Sequence, residues 1–122
     1  MAYLIDLKTF TDKRGNLTVI EKTIPFEIKR IFYIYGVDNS VRGGHRHTNT
    51  IQAAICLQGS CHIYNNNGTE QSEFVLDRPN KCLILEPLDW YTTHYFTPDA
   101  ILMVLASEYF DEKDYIFEPY KK

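Results

Sequence analysis

Apolar positions along this chain come in short runs broken by turn residues, and almost nowhere at helical spacing. Leu17-Thr18-Val19-Ile20 follows a turn at Asp12-Lys13-Arg14-Gly15-Asn16, and Arg30 to Tyr35, rich in β-branched and aromatic residues, stops at Gly36. Ile51 to Leu57 stops at Gln58-Gly59. Ser60 to Asn65 alternates and then meets Asn66-Asn67-Gly68, a hairpin signal because Asn and Gly tolerate positive φ. Glu73 to Leu76 reads as the return strand, Cys82 to Leu85 stops at Glu86-Pro87, and Ala100 to Ala106 is the most apolar run, expected to be buried. Short strands punctuated in this way predict an all-β fold, a small barrel of two antiparallel sheets. Helix is expected only as one turn at Asp111-Glu112-Lys113-Asp114. The chain shows no repeat, low-complexity tract or linker, and 122 residues suit a single domain spanning 1–122.

Composition and charge narrow the function classes. The formal net charge is −3 and no basic patch is visible beyond Lys121-Lys122, so neither nucleic acid nor an acidic membrane surface is an expected partner. The first residues lack the basic-then-apolar pattern of a secretory signal, and no apolar run approaches the roughly 18–20 residues of a membrane span. Cys56, Cys61 and Cys82 are odd in number and have no metal-knuckle spacing, which predicts free thiols in a reducing cytoplasm. Nine Tyr suit a β core or a wet pocket wall, since each combines an apolar body with a polar tip.

The candidate chemistry centres on Arg42-Gly43-Gly44-His45-Arg46-His47. On a strand, alternate residues share a face, so His45 and His47 aim at one volume and Arg46 points away. The spacing of His45, His47, Gln52 and Gly59 resembles the first cupin motif, with Gln52 where that motif carries Glu. A neutral amide is a poorer ligand for a divalent cation than a carboxylate. In the second segment, Pro87 to His94, Asp89 replaces the turn Gly and Thr92 takes the usual His position. His94 lies two residues further on, where parity allows it onto the same face. This degraded ligand set favours metal-free acid–base chemistry, for which an imidazole with a pKa of roughly 6.5 is suited.

Further stretches match one family over nearly the whole chain. They include Asp12-x-Arg14-Gly15-x-Leu17, Ile24-Pro25-Phe26-x-Ile28-Lys29-Arg30-Ile31-x-Tyr33-Ile34, Cys56-Leu57-x-Gly59-Ser60-Cys61 and the Trp90 turn. The most specific is Val104-Leu105-Ala106-Ser107-x-Tyr109-Phe110-Asp111-Glu112-x-Asp114-Tyr115-Ile116. With these blocks the chain resembles the WxcM-like sugar 3,4-ketoisomerase cupins. The resemblance implies a jelly-roll cupin, a homodimer with exchanged N-terminal strands, no required metal or other cofactor, and a dTDP-linked keto-sugar substrate. The implied reaction moves the ketone between C4 and C3 of dTDP-4-keto-6-deoxyglucose, giving a 3-keto sugar for deoxyamino-sugar and glycan synthesis. One of His45 and His47 is then the base and proton shuttle, with His47 slightly favoured.

Tyr33 and Tyr35 share strand parity, and their hydroxyls either reach the ligand or pack as core aromatics. Arg42, ahead of a Gly-Gly pair, suits a pyrophosphate or else lies in a solvated turn. Arg14, Gln52 and His94 are lesser binding candidates, and Trp90 and Tyr91 border the expected sugar or thymine, with packing the alternative for the Trp. Arg46 stands between the histidines where the family often has Ala. A metal-dependent cupin enzyme, a nucleotide-sugar 3,5-epimerase and a non-catalytic sugar-binding cupin are the competing readings.

Overall fold

The computed structural model describes residues 1–121. Strands β1 (Tyr3–Asp6), β2 (Lys8–Asp12), β3 (Gly15–Val19), β4 (Arg30–Ile34), β5 (Arg42–His47) and β6 (Gln52–Gln58) occupy the first half of the chain. Strands β7 (Cys61–Asn66), β8 (Gln71–Leu76), β9 (Lys81–Leu85), β10 (Trp90–His94), β11 (Ile101–Ala106) and β12 (Tyr115–Ile116) follow. Among the described residues a single 3-10 turn, Glu112–Asp114, precedes the last strand. One five-stranded antiparallel sheet runs β1-β9-β6-β11-β4, a second runs β12-β5-β10-β7-β8, and β2-β3 forms a separate hairpin. The two sheets make the jelly-roll barrel of the cupins.

The strands expected from turn chemistry form, with ends shifted by a few residues. The hairpin between β7 and β8 closes where Asn67 Oδ1 accepts from the amides of Thr69 and Glu70, and Gly68 adopts φ 100°. The turn pattern does not predict β1, β2 and β12. They are short, and β1 and β2 are largely solvent-facing, so burial imprints little period on them.

Between the sheets lies the main core, including Ala54, Cys56, Ile63, Leu76, Leu83, Leu102 and Val104. A second cluster lies on the other side of the first sheet, where Ile20, Ile24 and Phe26 pack against Ala53, Ile55, Cys82, Ile84 and Leu105. Strands β6, β9 and β11 are thus covered on both faces, which is why their apolar runs are continuous rather than alternating. Cutting a fully buried Ile such as Ile55 to Ala in such a layer costs about 2–5 kcal/mol. The second sheet does alternate: β7 and β10 turn Ile63, Tyr91 and Thr93 inward and His62, Tyr64, Trp90 and His94 outward.

Candidate active site

Strand β5 brings the histidines together, and its two glycines decide what accompanies them. Against β10, Tyr91 pairs with His45 but Thr92 pairs with Gly43, so Gly44 is an extra residue in a β-bulge. Gly43 and Gly44 adopt φ 82° and 77°, which side-chain-bearing residues rarely do. The bulge resets the alternation, so Arg42 lines the same cavity as His45 although the two are three residues apart. At Gly43 a Cβ would stand 3.0 Å from the Tyr91 carbonyl oxygen, so the close passage of β5 over β10 requires glycine there.

The cavity lies between the sheets and has a volume of about 160 Å³. Phe32, Ile34, Leu102 and Val104 form its apolar wall, while Arg42, His45, Gln52, Tyr91 and Tyr115 supply its polar atoms. Gln52 is buried, and its Oε1 accepts from the Tyr91 hydroxyl at 2.8 Å. The same hydroxyl oxygen is 3.2 Å from His45 Nε2. Burial and the neighbouring His47 push the His45 pKa down to about 4, against a weak opposing hydrogen bond to the Gly43 backbone. Burial also raises the Tyr91 hydroxyl well above its ordinary value, so it stays protonated.

His47 does not line this cavity. It is 3% exposed, and its ring meets that of His45 edge-on at 5.0 Å. Its Nδ1 is 2.9 Å from Asp114 Oδ2, and Thr50 Oγ1 donates to the same oxygen. The other Asp114 oxygen accepts from the Asn49 amide at 2.7 Å. Burial lowers the His47 pKa, Asp114 opposes this, Arg30 reinforces it, and the net shift is downward. The carboxyl of Asp114 resists its own desolvation through the bonds from Thr50, Asn49 and His47 and is held below its ordinary range.

Reasoning from residue spacing gives Asp114 and Tyr115 no role of their own. The signal that leads to them is Asp111, at the start of the expected helical turn. Asp111 caps the 3-10 turn by accepting from the Lys113 amide, and the chain then enters β12, with Tyr115 opposite His47. Tyr115 packs 4.7 Å from the His45 ring and 4.4 Å from the His47 ring. Arg46 faces outward as expected, its guanidinium 4.1 Å from the Tyr120 ring.

Several residues expected at the site lie elsewhere. Tyr33 points out of β4 and is 63% exposed, because the parity that faces the cavity belongs to Phe32 and Ile34. Tyr35, just past the strand end, lines a neighbouring surface pocket of about 210 Å³ that shares Arg42. Arg14 sits at the tip of the β2-β3 hairpin, paired with Asp12 at 2.7 Å and solvent-facing. Trp90 lies on the outer face of β10 against Tyr64. His94 is also outward, so the expectation that it shares a face with His45 and His47 is corrected. The parity rule holds along a strand, but β5 and β10 are different strands, and Tyr91 and Thr93 are the inward residues of β10.

Comparison with known proteins gives a consistent picture. Residues 2–121 match the family model described as FdtA, WxcM-like, C-terminal. The chain is 41% identical over 124 aligned residues to a TDP-4-oxo-6-deoxy-alpha-D-glucose-3,4-oxoisomerase of Aneurinibacillus thermoaerophilus, covering 98% of this chain and 89% of that one. It is also similar to the crystal structure of the sugar 3,4-ketoisomerase QdtA from Thermoanaerobacterium thermosaccharolyticum in complex with TDP. There the TM-score is 0.92 and the identity 43%, with 96% and 88% of the two chains covered. A mutant of that protein in complex with TDP-4-keto-6-deoxyglucose matches with TM-score 0.93 and 42% identity, over 96% and 87% of the chains.

Proposed function

This chain belongs to the WxcM-like FdtA family, and on that premise we propose that it moves the ketone between C4 and C3 of TDP-4-keto-6-deoxyglucose, within one domain of residues 1–122. The observation that carries the reading is one cavity that brings together a neutral imidazole, a protonated phenol and a guanidinium. Its volume of about 160 Å³ suits a single six-membered ring, well below the roughly 300 Å³ at which pockets for drug-sized ligands begin. The nucleotide then extends past Arg42 into the pocket lined by Tyr35, where the guanidinium pairs with the diphosphate.

The chemistry is a proton relocation with no external oxidant. A base removes the proton on C3, the electron pair forms the C3–C4 double bond, and the C4 oxygen gains a proton to give an enediol. The C3 hydroxyl then loses its proton as C4 gains one, leaving the ketone at C3. His45 is the histidine that lines the cavity, and burial lowers its pKa so that its imidazole is free to accept a proton, so it is assigned as the base. Burial behind it shifts the shuttle assignment away from His47, which orients the His45 ring and is itself fixed by Asp114. The Tyr91 hydroxyl, anchored on Gln52, holds the Nε2 side of His45.

Incubation with TDP-4-keto-6-deoxyglucose, followed by carbon NMR, tests this. The carbonyl resonance is expected to move from C4 to C3. Inverted configuration at C3 or C5 with the carbonyl still at C4 would instead identify an epimerase, and turnover that dies on chelation and returns with one metal would identify a metal enzyme.

We also propose a homodimer acting in the cytoplasm. Phe10 and Leu17 on the projecting hairpin and Ile31 and Tyr33 on the edge strand β4 are more than half exposed, an apolar surface that a second copy would cover. Cys56, Cys61 and Cys82 are free, as a reducing compartment would leave them. No helix among the described residues is long and apolar enough to cross a membrane. Light scattering should give twice the 14.3 kDa chain mass, and a monomer at micromolar concentration would remove the dimer.

A further inference from the structure

We propose that His62, Glu73 and His94 form a binding site for a divalent transition-metal ion, of which Zn²⁺ is the type, on the outer face of the second sheet. Strand register builds it. His94 of β10 lies directly opposite His62 of β7, and Glu73 of β8 lies opposite Tyr64, two residues along on the same face. One ligand atom from each residue falls within 4.8 Å of the others. His94 Nε2 is 2.7 Å from Glu73 Oε1, and His62 Nδ1 is 3.7 Å from Glu73 Oε2. Tetrahedral zinc with bonds of about 2.0–2.1 Å spaces its ligand atoms roughly 3.3–3.5 Å apart, so small side-chain rotations suffice.

A second observation points to a ligand. His62 Nδ1 is buried and has no hydrogen-bond partner among the described residues, a condition that a bound ion relieves. Tyr95 packs against both imidazoles, 4.6 Å from His94 and 5.2 Å from His62, and restricts their rings. Two imidazoles and one carboxylate suit zinc, nickel, cobalt or copper rather than magnesium or calcium, and they leave a coordination position for water. His94 faces away from Tyr91 and Thr93 on β10, as His62 faces away from Ile63 on β7, so the site is separate from the reaction cavity.

Cobalt titration of the purified, metal-stripped full chain near neutral pH tests the proposal. One equivalent is expected to bind with the visible absorption of a low-coordinate centre, and one equivalent of Zn²⁺ should displace it. His62→Ala and Glu73→Gln should each weaken binding at least about tenfold, whereas His47→Asn should retain it. Ketone transfer by the stripped protein and by His62→Ala should stay within about twofold of native. Binding weaker than about 0.1 mM, binding that survives His62→Ala, or binding lost in His47→Asn would each overturn the site. Zinc held through His62 by a protein that moves no ketone would sink the catalytic reading and leave this one standing.

Discussion

The second sheet carries two histidine pairs on opposite faces, and their surroundings separate them. Inside, His45 and His47 stand 5.0 Å apart with Asp114 on the inner member. Outside, His62 and His94 stand 5.9 Å apart with Glu73 between them and water. Burial lowers the pKa of both inner imidazoles, and of the two His45 faces the cavity. The outer pair converges on one carboxylate at a wet surface, an arrangement suited to a cation. The same residue types thus gain different chemistry from burial and from which atoms converge.

The sharpest way to break this contrast is His45→Asn. If His45 is the base, kcat should fall about 10²–10⁴-fold while TDP affinity, read by calorimetry, changes little. A loss below tenfold would move the base elsewhere in the cavity.

Next in size is Asp114→Asn, which takes the charge from a buried network. It should cost roughly 1–3 kcal/mol in urea unfolding, because the Thr50, Asn49 and His47 groups lose a charged acceptor. Glu73→Gln on the outer face should stay within about 0.5 kcal/mol. Equal costs at the two carboxylates would erase the distinction between the faces.

Acid should act mainly through the inner pair. Folding lowers both imidazole pKa values, His45 to about 4, while unfolded imidazoles titrate near 6.5. Between those values the unfolded chain binds more protons. Stability is therefore complete above about pH 6.5 and declines as pH falls towards 4. The acid limb of kcat/KM should likewise lie below the usual histidine range. Unfolding midpoints that stay flat from pH 7 to 5 would contradict the buried, neutral assignment.

Of the two cavity variants, Tyr91→Phe is expected to have the smaller effect on turnover. Removing the hydroxyl leaves the buried Gln52 Oε1 without its 2.8 Å donor, for a loss of about 1–3 kcal/mol in stability. Turnover should drop less than in His45→Asn. A loss as large as that of His45→Asn would make Tyr91 a proton carrier and not an anchor.

Much of the barrel is legible in the chain. Turn residues punctuate it correctly at Asp12–Asn16, Asn66–Gly68 and Glu86-Pro87, because Gly and Asn tolerate positive φ and Pro fixes φ whatever surrounds them. The convergence of His45 and His47 is legible for a similar reason, since period-two alternation is a property of one strand. Faces across different strands are not. Tyr33 and His94 have the residue types of a binding wall but point outward, because the register between strands decides which parity is inside.

Local chain chemistry therefore determined that this protein is a β barrel with two imidazoles on one side of one strand. Only tertiary packing decided that a bulge at Gly43-Gly44 swings Arg42 into line with His45, that Asp114 returns from the C-terminal end to fix His47, and that His45 is the ring left facing the cavity. Those outcomes depend on contacts between residues up to 67 positions apart, and no local pattern encodes the register or the desolvation that such contacts impose.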